Sequence, residues 1–406
     1  MAKQVFEGLK VFDMTTSGVG PISMEHLAAY GATVIRVETS IVPCTTRGLA
    51  PFKDGCRHPD WSAVPLLFNK NKYAISLNLT SPKGLEIAWR FVKWCDVMGE
   101  CFSSGVVAKL GLDYDSVIKV RPDIIYWSYN AQGQKGPHAN WRGYGAQMSA
   151  VAGHCHFTGW PDRVVSSIYG AYNDFIAPRF GGVALIAALI HKKRTGEGQY
   201  IDGSQIEAGA MFIAPMVMDY LVNGRIQTRQ GNRVPNAAPH NAYRCQGLER
   251  WIAIAVTSDE QWGAFKKVVG EPEWAKDPKF NTLIGRKQNE DELDELVAKW
   301  TCDQVAEEVM ERMQQAGVPA GIVSNAEDLL EDPQLRHRGY YVKLEGHPNI
   351  GTSFHHDGRQ ETLSKTPARL YRAYGTVGRD NEYVYKQILG MSDEEISDCM
   401  AEGVFS

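Results

Sequence analysis

The sequence predicts an α/β protein: a large domain on a parallel sheet with helices on its faces, and a smaller α+β domain. Three observations predict it. The first half alternates short apolar runs with helical patterns in βαβα order, which calls for parallel strands joined by crossover helices. A chain of 406 residues, at ~150 residues per domain, makes two or three domains with a sizeable core. Its 44% hydrophobic and 22% charged residues are ordinary globular composition.

The elements follow in order. Leu9–Met14 reads as a strand, Ile22–Tyr30 as a helix and Thr33–Val37 as a second strand. Tyr73–Leu77 is a third. Ser81-Pro82 then opens a helix, serine as N-cap and proline at the first helical position. Leu85, Trp89 and Val92 recur at helical spacing and should face a core. Asp96–Met98 and Ile124–Ser128 read as further strands, Phe175–Arg194 as a long apolar helix and Gln199–Asp202 as a short strand. Ser204 with Glu207 has the form of a capping box for a helix ending near Asn223-Gly224. Gly231–Asn241 holds two prolines among Asn and Gly residues and is the expected interdomain crossing. Beyond it lie a strand at Trp251–Val256, a capping box Ser258/Gln261, helices near Asn289–Lys299 and Asp303–Ala316, and a strand at Val318–Ile322. Gly346–Gly358 reads as loop, and Ser392/Glu395 caps a last helix.

The charge balance, 43 basic against 47 acidic residues for a net −4, argues against a nucleic-acid partner. Met1–Asp13 has no apolar core, so no signal peptide is read there. The most apolar stretches, Val183–Ile190 and Met211–Val222, are too short or interrupted for a span of ~20 residues. The expectation is a soluble cytoplasmic protein with no membrane partner. None of the eight cysteines forms a C-x-x-C pair, so reduced, mostly buried thiols are expected and no metal site is assigned, His154-Cys155-His156 included.

Two motifs could carry chemistry. Gly18-Val19-Gly20-Pro21-Ile22-Ser23 follows a strand and opens a helix, with Glu38 twenty residues after Gly18. That is close to the dinucleotide fingerprint, which would make the protein a nicotinamide dehydrogenase, but Ser23 replaces the third glycine and Pro21 interrupts the turn. No G-x-x-x-x-G-K-[ST] loop exists. The second motif is Gly170-Ala171-Tyr172-Asn173-Asp174 before the long helix. Asn173 or Asp174 can simply cap that helix. The same place suits a nucleophile, because the positive helix end favours an ionised Asp174 that can attack an activated acyl group.

Several further motifs give these residues a frame. They are Val11-Phe12-Asp13 with Gly20-Pro21, Tyr30-Gly31-Ala32-Thr33-Val34-Ile35-Arg36-Val37-Glu38, Gly133-Gln134-Lys135-Gly136-Pro137, Arg194-Thr195-Gly196-Glu197-Gly198-Gln199 and Gly317-Val318-Pro319-Ala320. In that order and spacing the chain resembles the class III coenzyme A transferases, the family of formyl-CoA and carnitine-CoA transferases and their α-methylacyl-CoA racemase relatives. The resemblance implies a Rossmann-like large domain, 1–224 with 330–406, a small domain, 225–329, and an interlocked dimer of identical or related chains. It implies that CoA passes from an acyl-CoA to a free carboxylic acid, with CoA as substrate and no prosthetic group. Asp174 matches the catalytic aspartate, which would pass through an aspartyl anhydride and an aspartyl-CoA thioester.

By the same resemblance, CoA contacts fall on Ser17, Gly18 and Val19, on Leu77, Asn78, Leu79 and Thr80, on Cys101, Phe102 and Ser103, on Lys109, and on Arg142, Gly143, Tyr144 and Gly145. Lys109 and Arg142 can meet phosphates, and Phe102 and Leu77 offer apolar surface. The formyl-CoA enzyme carries lysine where Thr80 stands, Asn and Gly where Cys101 and Ser103 stand, and glutamate where Gly145 stands. The racemase branch needs a histidine where Tyr144 stands, and a phenol is a poor base at neutral pH. His154 and His156 nevertheless keep an isomerase as an alternative. His154 to Pro161 with Gly170 to Phe175 looks like the benzylsuccinate CoA-transferase branch, with Trp160, Tyr172 and Phe175 as aromatics around the nucleophile. That makes an aryl-substituted succinate the expected acceptor, with succinyl-CoA as donor.

Overall fold

A computed structural model describes residues 3–168, 170–344, 346–351 and 355–406. The chain forms two compact units. The first holds the chain up to His154, Ser167–Arg225 and Gln334–Ser406; the second holds Cys155–Ser166 and Ile226–Pro333. The crossing therefore falls at Arg225/Ile226, ahead of Gly231–Asn241, which lies inside the second unit, and the short stretch after His154 also belongs to that unit.

The first unit is built on six parallel strands: β1 (Lys10–Asp13), β2 (Thr33–Glu38), β3 (Tyr73–Ser76), β4 (Val97–Glu100), β5 (Ile125–Asn130) and β6 (Gln199–Ser204). Their order is β3-β2-β1-β4-β5-β6. The progression reverses between β1 and β4, where connections leave toward opposite faces and open a crevice at the carboxyl ends. β4 and β5 are buried along their whole length, as a sheet covered on both faces requires. One core face packs Phe12, Ile35, Ile75, Phe91 and Met98, the other Val11, Val34, Val97, Trp127 and Leu185.

Local chemistry accounts for the helix ends. Ser81 accepts a 2.9 Å hydrogen bond from Gly84 N and starts helix Pro82–Trp94. Its buried face is centred on Ile87, Ala88, Phe91 and Val92, with Leu85 and Trp89 flanking it. The first helix starts at Val19, three residues before the sequence reading, because Pro21 costs nothing in a first turn whose N–H groups have no partner anyway. The long helix is Tyr172–Thr195, with Pro178 inside it. Pro178 has no N–H to offer the Asp174 carbonyl four residues earlier. This is, among the described residues, a helix long and apolar enough to cross a membrane by length and composition, unlike the shorter stretches read from sequence. Ser204 accepts from Glu207 N, but two helices follow, Gln205–Phe212 and Ala214–Asn223, broken at Ile213 just ahead of Pro215. Ser392 and Glu395 complete a reciprocal capping box. Only half of the Ser258 box forms, since the Gln261 side chain accepts from Thr257 instead. Gly346–Gly358 is not all loop: His355–Asp357 pairs antiparallel with Tyr341–Lys343, and residues 352–354 lie outside the described residues.

The edge strand β3 does not stay open. Its Ala74 and Ser76 N–H groups donate to Asp380 and Asn381, and Tyr385 donates to the Ser76 carbonyl. The C-terminal segment thus covers an edge that could pair with another chain.

The second unit has a three-stranded antiparallel sheet, β7 (His240–Arg244), β8 (Trp251–Ala255) and β9 (Ala320–Ile322). Helices Asp259–Val268, Glu290–Thr301 and Ala306–Gln315 supply Phe265, Leu293, Val297, Val309 and Met313 to its core.

Beneath the β1 turn lies a buried charge cluster. Lys72 Nζ is 2.8 Å from Asp13 Oδ2, and Arg36 lies 3.7 Å from the same carboxylate. Burial alone would raise the Asp13 pKa, but Lys72 and Arg36 outweigh it and hold it below the usual value. Removing one partner of a buried pair leaves a bare charge. Lys72→Ala should therefore lower folding stability by about 3–5 kcal/mol, measured by urea denaturation at pH 7; a loss within experimental error would show that Asp13 does not depend on Lys72.

Candidate active site

The crevice at the β1/β4 switch holds a cavity of about 440 Å³. Each wall follows a strand. After β1 come Thr16, Ser17 and Val19; after β4, Cys101, Phe102 and Ser103; at the end of β5, Asn130, Ala131 and Gln132. The loop Ala139–Gly145 adds Trp141, Arg142, Gly143, Tyr144 and Gly145, and Thr45, Asp174 and Gln205 complete it.

Asp174 is the third residue of helix Tyr172–Thr195, whose N-cap is Ala171, so neither Asn173 nor Asp174 caps it. Two glycines make room for its carboxyl group. A Cβ on Gly18 would sit 3.1 Å from Asp174 Cβ; one on Gly145 would sit 2.2 Å from Ala171 Cβ and 2.7 Å from Asp174 Oδ2. Contacts that short would force the chain apart, so Gly145 cannot be the glutamate of the formyl-CoA enzyme without a rearrangement. Burial raises the Asp174 pKa to about 6, against a hydrogen bond from Gln205 that lowers it. The helix end favours the charged carboxylate, but desolvation is the larger effect here. At pH 7 the carboxyl is still mostly ionised, and it is poorly solvated, which suits a nucleophile.

The turn before the first helix is held from below. Thr15 N and Oγ1 donate to Asp13 Oδ1, and Arg36 Nη1 donates to the Thr15 carbonyl at 2.8 Å. Ser17 takes a left-handed φ of 59°, a conformation sparsely populated outside glycine, and its hydroxyl meets Thr45 Oγ1 at 2.9 Å. Glu38, the acid of the dinucleotide fingerprint, is occupied by Arg36, Arg47 and Tyr374. It is not free to hold a ribose.

Of the residues read from sequence, the cavity brings together Ser17, Val19, Cys101, Phe102, Ser103, Arg142, Gly143, Tyr144, Gly145 and Asp174, with Gly18 against Asp174. Leu77, Asn78, Leu79, Thr80 and Lys109 are not in its wall. Leu77 is core and Leu79 packs on it, while Asn78 Oδ1 accepts from Thr80 and Asn78 N donates to the Val404 carbonyl. They follow the edge strand, two places from the switch point. Lys109 ends the short helix Val106–Lys109 and is exposed.

The expected aromatic set also differs. Tyr172 packs on His154 and Phe212, Phe175 is 47% exposed beside Phe68, and Trp160 belongs to the second unit, where it packs on Gly231. The aromatic side chains of the cavity wall are Phe102, Trp141 and Tyr144; the lining itself holds no histidine, and His138 packs on Trp141 with ring centroids 3.7 Å apart. His154 is buried against the Gly209 carbonyl and His156 is exposed. Sequence reasoning missed Thr16, Asn130, Gln132 and Gln205. Gln132 Nε2 is buried in this wall without a hydrogen-bond partner. Only the position of these residues at strand ends, once the strands were bounded, could have found them. Among the described residues no group of three or more His, Cys, Asp or Glu side chains could hold a metal.

Residues 6–381 match CoA-transferase family III. The chain belongs to that family. Over 401 residues it is 28% identical to succinyl-CoA–D-citramalate CoA-transferase of Chloroflexus aurantiacus, spanning 98% of this chain and 97% of that one. It is 29% identical to succinate–glutarate CoA-transferase of Agrobacterium fabrum, over 95% of this chain and 96% of that one. A CAIB/BAIF family protein from Brucella suis superposes with a TM-score of 0.86 at 28% identity, covering 95% of this chain and 100% of that one. The protein is thus a class III CoA-transferase, exchanging CoA between acyl-CoA and carboxylic acids, and the α/β fold read from its sequence is that of the family.

The transferase carries Asp174 at a thermodynamic cost. Its pKa is higher folded than the ordinary 3.8, so the stability it contributes is full below pH ~4 and is lost as the pH rises through about 6. After allowance for its partial solvent access, the cost at pH 7 is about 1–2 kcal/mol. Asp174→Asn should unfold at higher urea than the native protein at pH 7, with the difference gone near pH 4. A difference independent of pH would contradict the burial of the carboxyl.

Proposed function

We propose that this transferase moves CoA from succinyl-CoA, or a similar dicarboxylyl-CoA, to a free dicarboxylic acid, an aryl-substituted succinate such as benzylsuccinate being the narrower candidate. The observation that carries the reading is a poorly solvated Asp174 carboxylate, enclosed by glycine backbone, in the wall of the switch-point cavity. The related transferases named above act on dicarboxylic acids, and Phe102, Trp141 and Tyr144 supply the aromatic wall that an aryl group would use.

Asp174 attacks the thioester carbonyl; the C–S bond breaks, CoA thiolate leaves and an aspartyl anhydride forms. The thiolate then attacks the aspartyl carbonyl, releasing the donor acid and leaving an aspartyl-CoA thioester. The acceptor carboxylate displaces the thiolate again, and thiolate attack on the new acyl carbonyl releases product and frees Asp174. Each step exchanges one acyl bond for another, so no ATP is consumed. Gln132 Nε2 is a donor in need of an acceptor, and a substrate acyl oxygen supplies one. Arg142 is the one cation among the described wall residues and suits a CoA phosphate.

The isomerase alternative requires a base for the α-proton, and the cavity wall offers no histidine for it. A second copy, or a related subunit, would cover the apolar side chains that stand exposed on the helices after Asp174, with Val183 and Leu221 68% and Val222 72% exposed. Eight unpaired cysteines fit a reducing compartment such as the cytoplasm.

Asp174→Ala and Asp174→Asn should fold but lose at least ~1000-fold in turnover, the scale expected for a covalent nucleophile. Hydroxylamine after acyl-CoA incubation should mark Asp174 by peptide mass in the native protein only. Near-native turnover of Asp174→Ala would end the covalent reading. Arg142→Ala should raise KM for acyl-CoA ~10–100-fold, from the loss of one charged hydrogen bond. Mass spectrometry of succinyl-CoA with a panel of acids tests the substrate: exchange with glutarate or citramalate but none with benzylsuccinate would remove the narrower candidate. α-Proton exchange in deuterated water without CoA exchange would favour the isomerase.

A further inference from the structure

Behind the cavity wall sits a carboxylate that the chemistry above does not use. Glu100 ends β4 and is 1% exposed. Its Oε2 accepts from Phe102 N at 2.9 Å and its Oε1 from Gln134 Nε2 at 3.2 Å. Ser128 also hydrogen-bonds to it. These are neutral donors. A buried carboxylate with only such partners is costly, and burial pushes its pKa up to about 6.

Gln134 is the common strut. Its Nε2 also reaches Ser128 Oγ at 3.0 Å and the Phe102 carbonyl at 3.4 Å. Its backbone N–H donates to Asp202 Oδ1 at 2.9 Å, and its carbonyl accepts from Ser104 Oγ at 2.9 Å. The side-chain pair therefore joins the end of β4 to Ser128 of β5, and the Gln134 backbone adds the tie to Asp202 of β6. It ties the wall Cys101–Ser103 to the segment that follows Asn130–Gln132. Neither Glu100 nor Gln134 lines the cavity.

We propose that Glu100 and Gln134 are positioning residues for acyl-CoA, holding the β4 and β5 walls of the cavity at the separation the thioester requires. This rests on the reading of the cavity as the acyl-CoA site. An apolar pair could pack the same space, but it could not hold Phe102 N–H and the Gln134 loop at one point. A carboxylate with two oxygens does so, and a carboxamide facing Gln134 sets donor against donor or leaves Phe102 N–H without an acceptor.

Reciprocal exchange tests the pair. Glu100→Gln and Gln134→Glu are made singly and together and compared with the native enzyme by KM, kcat and dissociation constant of free CoA. Glu100→Gln should raise KM for acyl-CoA and the free CoA constant ~10-fold, the order expected for one buried hydrogen bond, with kcat within ~3-fold. The double variant restores one donor–acceptor pair, and KM should return to within ~3-fold of native. Gln134→Leu, at a partly exposed position, serves if Glu100→Gln does not fold, and should give the same KM rise. Native KM in both Glu100→Gln and Gln134→Leu would overturn the proposal. So would single-variant losses that simply add in the double variant, because a merely structural role predicts addition. If the native protein bound CoA and exchanged no acid, the assigned reaction would fail, while the CoA constants would still test the pair.

Discussion

The crevice depends on one buried carboxylate. Asp13, at the end of β1, accepts from Thr15 N–H and hydroxyl and is neutralised by Lys72 and Arg36. Arg36 in turn holds the Thr15 carbonyl. That lattice fixes the turn through Thr16 and Ser17 without any ligand. The price is a set of full charges in the core, tolerable only because each is paired. Gly18 follows at once, and its missing side chain lets the turn close on Asp174, about 160 residues later in sequence. Fold stability and site geometry are thus properties of the same few groups.

Asp174 shows the opposite balance. It sits without a cation, between glycines that exclude side chains and so limit its solvation. Desolvation destabilises the folded protein at neutral pH and suits the carboxylate to the nucleophilic role proposed for it. The helix dipole and the Gln205 hydrogen bond keep it ionised at pH 7. A stronger partner such as a lysine would stabilise the fold and quench the reactivity, which is the usual conflict between stability and function.

Much of this was legible in the sequence. The parallel sheet followed from apolar runs alternating with helical patterns, and Ser81-Pro82 and Ser392/Glu395 marked helix starts, because caps are local chemistry. The reading was weaker where a proline acts in context: Pro21 was accepted inside a helix start, and Pro215 divided a helix that looked continuous. Asp174 was picked out by its family pattern and helix-start context. Its aromatic neighbours were misread, because nearness in sequence along 154–175 is not nearness in space: Tyr172 and Phe175 turn to other partners, and Trp160 enters the second unit.

The sequence by itself determined the fold class and the family and singled out Asp174 as the candidate nucleophile, since apolar periodicity, caps and ordered motifs are written in consecutive residues. Only the tertiary structure decided which residues form the wall. The strand order β3-β2-β1-β4-β5-β6 is a matter of pairing between distant segments. It brings the ends of β1, β4 and β5 to the switch point and sends Leu77–Thr80 to the sheet edge, against the C-terminal segment. It also decided the state of Asp174, because desolvation depends on Gly18 and Gly145 meeting at its carboxyl, and no local pattern encodes that meeting.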